Sequence, residues 1–185
     1  MSTFRWREED PMEEPPQDRA HMIPREPSFT ETMQLGIVVR DLEATVRRYE
    51  DDYGIGPWRF DRIDLGAAND HREYGEPVER SNRIAIAMVG RVMWELIEPL
   101  DEDGIYARFL AEKGEGVHHV AVATLDFDET VARAEGEDGV MLSCKHSGID
   151  IAYLDTLRDL GVTIEIFSGM PGPASPAPAP SAPAP

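Results

Sequence analysis

The apolar positions of this chain fall into two periods. Met33–Val39, Ile84–Val89, Val92–Ile97, Val117–Ala123, Ile149–Leu154 and Val162–Phe167 are runs of six or seven mostly apolar residues. Such runs, bounded by turn residues, predict buried strands. Weaker runs predict two more strands, at Trp58–Ile63 and Val140–Cys144. Between them the period lengthens. Leu42, Val46 and Tyr49 recur at i, i+4 and i+7, so a helix is expected from Leu42 to about Asp52, with Asp41 as its N-cap and Gly54 ending it. A second helix, Ile105–Lys113, is closed by Gly114 and turns Phe109 inward. A third, from Phe127 to about Glu135, begins at the capping-box pattern Asp126-x-x-Glu129. Gly66 to Ser81 reads as a long polar loop.

The order repeats. Gln34-Leu-Gly-Ile-Val-Val-Arg-Asp41 and His119-Val-Ala-Val-Ala-Thr-Leu-Asp126 superpose at an offset of 85 residues, which also carries Thr45, Val46, Arg48 and Gly54 onto Thr130, Val131, Arg133 and Gly139. Two copies of one unit are therefore expected: an α+β fold of two tandem βαβββ modules, at 30–100 and 115–169, joined by a connecting helix within 101–114. Residues 1–29 read as a flexible, acidic, Pro-rich arm, in which Trp6 and Met22 are candidates for docking. Residues 170–185 read as a disordered Pro/Ala tail.

The net charge of −18 repels phosphate backbones, which argues against nucleic-acid binding and weakly against a phosphate-rich ligand. No apolar run is long enough to span a bilayer, and the first residues do not read as a secretory signal. The single cysteine, Cys144, reads as a small strand residue and suits a reducing cytoplasm.

Four strands break their apolar pattern with one strongly polar side chain: Gln34, Glu95, His119 and Glu165. They stand on the first and last strands of each module. Each alone has an ordinary explanation, a solvated face or a hydrogen bond to backbone. Converging, one nitrogen and three oxygens suit a single divalent cation such as Zn, Ni, Co, Mn or Fe. Trp58, Tyr74, Arg83, Met88, Trp94, Tyr106 and Phe109 are candidates to line a substrate pocket, the aromatic ones having core packing as their alternative. Arg59 and Arg91 read as surface residues able to meet an anion, and His146 as an exposed turn residue.

Trp94-Glu-Leu-Ile-Glu-Pro-Leu100, followed by Phe109-Leu-x-x-x-Gly-Glu-Gly-Val-His-His-Val-Ala121, resembles the vicinal oxygen chelate superfamily, nearest to methylmalonyl-CoA epimerase-like and glyoxalase I-like proteins. The resemblance spans about residues 32 to 168. It implies a pair of curved half-barrels, metal ligands at Gln34, Glu95, His119 and Glu165, and His118 as a packed neighbour on the opposite face. It implies an isomerase, epimerase or lyase acting on a small carbonyl or thioester substrate, with Glu165 as general base and Glu95 as the second catalytic carboxylate, in a homodimer. Gln34 stands where the epimerases carry His, and Ile84–Val89 lacks their second catalytic carboxylate. Val38 replaces a glutathione-binding Arg of glyoxalase I. These departures count against both parent substrates. Two other classes stay open: a metal-free small-molecule binding or sequestering module, and a scaffold whose tails recruit partners.

Overall fold

The computed structural model describes residues 29–137 and 139–169; the expected tail and all of the expected arm except Phe29, which begins the first strand, lie outside them. The elements in chain order are β1 (Phe29–Val38), α1 (Leu42–Tyr53), β2 (Arg59–Leu65), β3 (Arg72–Glu73), β4 (Glu76–Pro77), β5 (Arg80–Val89), β6 (Val92–Pro99), α2 (Ile105–Lys113), β7 (Gly116–Thr124), α3 (Phe127–Glu137), β8 (Val140–His146), β9 (Ile149–Leu154), α4 (Leu157–Leu160) and β10 (Thr163–Phe167). All ten strands form one mixed sheet in the order β2-β5-β6-β1-β7-β10-β9-β8-β3-β4. β1 runs parallel to β6, β7 runs parallel to β10, and β1 meets β7 antiparallel at the centre. The four strands that carry an anomalous polar residue are thus consecutive in the sheet, β6-β1-β7-β10.

Local signals account for the helices. The Asp41 carboxylate accepts from the Ala44 amide at 2.8 Å, and Gly54 closes α1 in the left-handed region at φ 65°. Leu42 and Val46 of α1 pack on Ile37, Val39, Ala85 and Leu96. In the second half the Asp126 carboxylate caps α3 through the Glu129 amide at 2.9 Å, and Phe127 and Val131 pack on Val122, Leu154 and Ile166. Phe109 and Leu110 of α2 pack on Val38, Ile84 and Ile97. Among the described residues no helix is long and apolar enough to cross a membrane.

Two features differ from expectation. The polar loop after β2 contains a short hairpin, β3–β4, and β3 pairs with β8 of the other half through Arg72↔Ser143 and Glu73↔Leu142. Two-residue strands leave no periodicity to read. The second is a register shift in the β1–β7 ladder, where Gly36 pairs with His119 but Ile37 pairs with Val117. His118 is therefore the extra residue of a β-bulge.

Candidate functional site

The strand register assembles the site. Residues paired across a ladder share a face, as do residues two apart on one strand. Gly36 pairs with Glu95 on one side and His119 on the other. Gln34 and Glu165 both pair with Ala121, and Tyr153 pairs with Glu165. Gln34, Glu95, His119, Glu165 and Tyr153 therefore share one face, which lines a cavity of about 660 Å³ built from both halves of a single chain. The face extends through Ile86 and Asn82 on β5 and Leu142 and Cys144 on β8.

His119 is fully buried, and its Nε2 is the focus. Glu165 Oε2 lies 3.2 Å from it, the Tyr153 hydroxyl 3.4 Å and Glu95 Oε2 3.9 Å. The Gln34 amide donates to Glu95 Oε2 at 2.6 Å. A Cβ on residue 36 would fall 2.0 Å from the ring, so the imidazole lies directly over the Gly36 backbone, a place only glycine can provide. The bulge brings the His118 ring beside it, with Nδ1 3.2 Å from His119 Nδ1 and the two rings at 82°. The expected placement of His118 on the opposite face is corrected accordingly: it packs between Tyr106 and Phe109 and touches His119 as well.

Burial sets the protonation. It pushes Glu95 up to about 7; the nearby Glu165 adds to this, while His119 and the Gln34 amide oppose it. Burial alone would lower His119, but Glu165 and Glu95 outweigh it and the net shift is upward. Burial, with a smaller push from His119, takes His118 down to about 3. A neutral His118 can accept a hydrogen bond from His119 Nδ1–H at its own Nδ1, leaving the His119 Nε2 lone pair facing the carboxylates.

The donor set fits a divalent cation. Glu165 Oε2 is buried and, despite its 3.2 Å approach to His119, is not aligned for a hydrogen bond. Two ligand atoms each about 2.1 Å from one ion stand roughly 3.0–3.4 Å apart. His119 and Glu165 meet that spacing; Glu95, drawn to Gln34, is wider. Among the described residues no three His, Cys, Asp or Glu side chains already stand together as a metal-binding group.

Of the expected substrate-lining residues, Met88 and Tyr106 line the cavity, and Arg59, Arg91 and His146 stand among its lining residues. The others are elsewhere. Trp58 packs on Tyr49 with its indole donating to the Ile55 carbonyl at 2.7 Å. Trp94 packs on Tyr49 too. Arg83 is held by Glu43 and Glu98. Tyr74 is 57% exposed at a turn, under Arg108. Phe109 packs behind His118. Cys144 is a buried strand residue whose thiol is pushed up to about 12 by burial.

The structure adds residues that the sequence did not single out. Tyr153 sits in an apolar run and looked like core; its hydroxyl is 2.8 Å from that of Tyr106. Burial, followed by the charges of Glu95 and Glu165, pushes Tyr106 well above the usual phenol range, and burial followed by Glu165 does the same for Tyr153. At another side of the cavity Glu73 is buried and takes Arg80 at 2.9 Å and Arg108 at 3.2 Å. The spacing of Glu73 and Arg80 in a polar loop gave no sign of this pair.

Comparison with known proteins places residues 33–153 in the family described as the glyoxalase/bleomycin resistance protein/dioxygenase superfamily. The chain is 33% identical over 107 residues to the uncharacterized protein YqjC of Bacillus subtilis (strain 168), a match covering 55% of this chain and 74% of that one. Among solved structures it is similar to a variant of Streptomyces coelicolor methylmalonyl-CoA epimerase in complex with 2-nitronate-propionyl-CoA. Identity there is 27% and the TM-score 0.57, over 76% of this chain and 94% of the other. The Mycobacterium tuberculosis methylmalonyl-CoA epimerase, at 21% identity and TM-score 0.54 over 80% and 93% of the two chains, shares the fold.

Proposed function

Because the chain belongs to the glyoxalase/bleomycin resistance protein/dioxygenase superfamily, we propose that it is a metal-dependent isomerase, epimerase or lyase that stabilises the enolate of a small carbonyl compound. The observation that carries this reading is the convergence of two carboxylates on His119 Nε2 inside the cavity, Glu95 largely buried and Glu165 fully so with an unpartnered oxygen.

Gln34, Glu95, His119 and Glu165 would hold one divalent ion of the Zn, Ni, Co, Mn or Fe type. When bound, such an ion supplies Lewis-acid polarisation of a carbonyl oxygen. Glu165, whose Oε2 has no hydrogen bond to lose, takes the proton from the carbon beside that carbonyl. Glu95, the second carboxylate beside His119 Nε2, would return the proton. His118 keeps His119 in one tautomer, and Met88, Ile84 and Ile86 keep the reacting end apolar.

The neighbouring epimerase is described with a coenzyme A ligand. Among the described residues each arginine lining the cavity has a carboxylate beside it: Arg59 has Asp61 at 3.8 Å, Arg80 has Glu73 at 2.9 Å and Arg91 has Glu31 at 3.0 Å. Such pairing weakens phosphate capture, which favours a small carbonyl compound over a coenzyme A thioester.

Metal content of untagged protein by inductively coupled plasma mass spectrometry, beside His119→Ala, is the first test. About one transition metal per chain, lost in the variant, is expected. Solvent deuterium exchange into an accepted substrate should then vanish in Glu165→Gln. Protein that refuses all five metals on titration overturns the reading and leaves a small-molecule binding module.

A further inference from the structure

Two tyrosine hydroxyls are buried in the cavity wall where phenylalanine would fill the same space without the desolvation penalty. The hydroxyls form a line: Tyr106 OH to Tyr153 OH at 2.8 Å, and Tyr153 OH to His119 Nε2 at 3.4 Å. The two phenols carry two protons. One is spent between them. With Tyr106 donating to Tyr153, the other is left to Tyr153, whose only further hydrogen-bonding neighbour among the described residues is His119 Nε2, at a long distance. If that nitrogen's lone pair serves a metal ion, it cannot also accept from Tyr153. The phenol proton then points into the reaction space beside Glu165, with which Tyr153 is paired in register.

We propose that Tyr153 is a substrate-binding residue whose hydroxyl donates a hydrogen bond to the substrate oxygen on which enolate charge develops, and that Tyr106 is a positioning residue that fixes the direction of that hydrogen bond. This rests on the enolate reading above. A donor fixed in place before the reaction serves a growing negative charge better than water, which would have to reorient.

Acetohydroxamate, which presents two adjacent oxygens and shares the negative charge of an enediolate, is the probe. Its affinity is measured by isothermal titration calorimetry on full-length, metal-loaded wild type, Tyr153→Phe, Tyr106→Phe and the double variant, with metal content determined on each sample. Wild type is expected to bind. Tyr153→Phe should bind roughly tenfold or more weakly at unchanged metal content, the loss of one charge-assisted hydrogen bond. Tyr106→Phe should lose less. The double variant should bind no more weakly than Tyr153→Phe alone, because Tyr106 acts only through Tyr153; a merely structural role would add a further loss. Equal affinity of wild type and Tyr153→Phe at equal metal content overturns this inference and leaves the enolate reading standing. Wild type without metal and without hydroxamate binding overturns both. If Tyr153→Phe loses its metal or its fold, Tyr106→Phe decides: unchanged affinity there overturns the inference.

Discussion

Glu95→Gln isolates the energetic consequence of burying a carboxyl in this cavity. The carboxyl of the unfolded chain releases its proton near 4.5; in the fold, burial holds it to about 7. Between those two pH values the folded protein binds more protons than the unfolded one, so stability falls as pH rises. At about 1.4 kcal/mol per pH unit, the full difference is on the order of 3 kcal/mol and is spent by pH 8. His119 acts in the same direction: its folded value is raised, so its contribution is present below 6.5 and is lost as pH climbs through the folded value. A glutamine at position 95 is neutral throughout and can still accept the Gln34 amide hydrogen bond. The assay is urea unfolding of chelator-treated protein at pH 5 and pH 8. Wild type should lose about 2.5 kcal/mol more than Glu95→Gln between the two, since half a unit of the window lies below pH 5 and the pH dependence of distant groups is common to both. Equal losses in the two proteins would refute the burial argument and, with it, the assignment of Glu95 as a carboxyl poised near neutrality.

Gly36→Ala should push the His119 ring out of place, because the added Cβ falls 2.0 Å from Cε1 and 2.1 Å from Nε2. The expected results are loss of bound metal by mass spectrometry and destabilisation of about 1–3 kcal/mol in urea; retained metal would mean the ring has another seat. Glu73→Ala strips a buried carboxylate from Arg80, whose side chain is 15% exposed, and should cost about 3 kcal/mol by the same unfolding assay. Glu73→Gln, which keeps the shape and part of the hydrogen bonding, should cost less; an unchanged midpoint for the alanine variant would show that Arg80 finds another partner.

Much of this molecule is local in origin and was legible for that reason. The caps Asp41, Asp126 and Gly54 are set by neighbouring residues, and the apolar runs of β1, β6, β7 and β10 announce burial whatever they pair with. The polar intruders stood out against those runs, and the offset of 85 residues tied them together. What escaped notice depends on partners distant in sequence. Tyr153 looked apolar because a tyrosine in Ile-Ala-Tyr-Leu is normal core, and its meaning comes from Tyr106, 47 residues away. Arg83 looked free until Glu43 and Glu98 closed on it. The bulge at His118 is a register shift within the β1–β7 ladder, which neither strand reveals alone.

The β3–β4 hairpin bears on how copies of this chain can meet. By occupying the flank of β8 it moves the end of the sheet to β4, a two-residue strand whose Pro77 has no amide hydrogen to give. At the opposite end lies β2, Arg-Phe-Asp-Arg-Ile-Asp-Leu, in which charges occupy four of seven positions. A strand arriving from another molecule finds a blunt stop on one flank and a charged rail on the other. Among the described residues, runaway strand addition is thus discouraged at both rims.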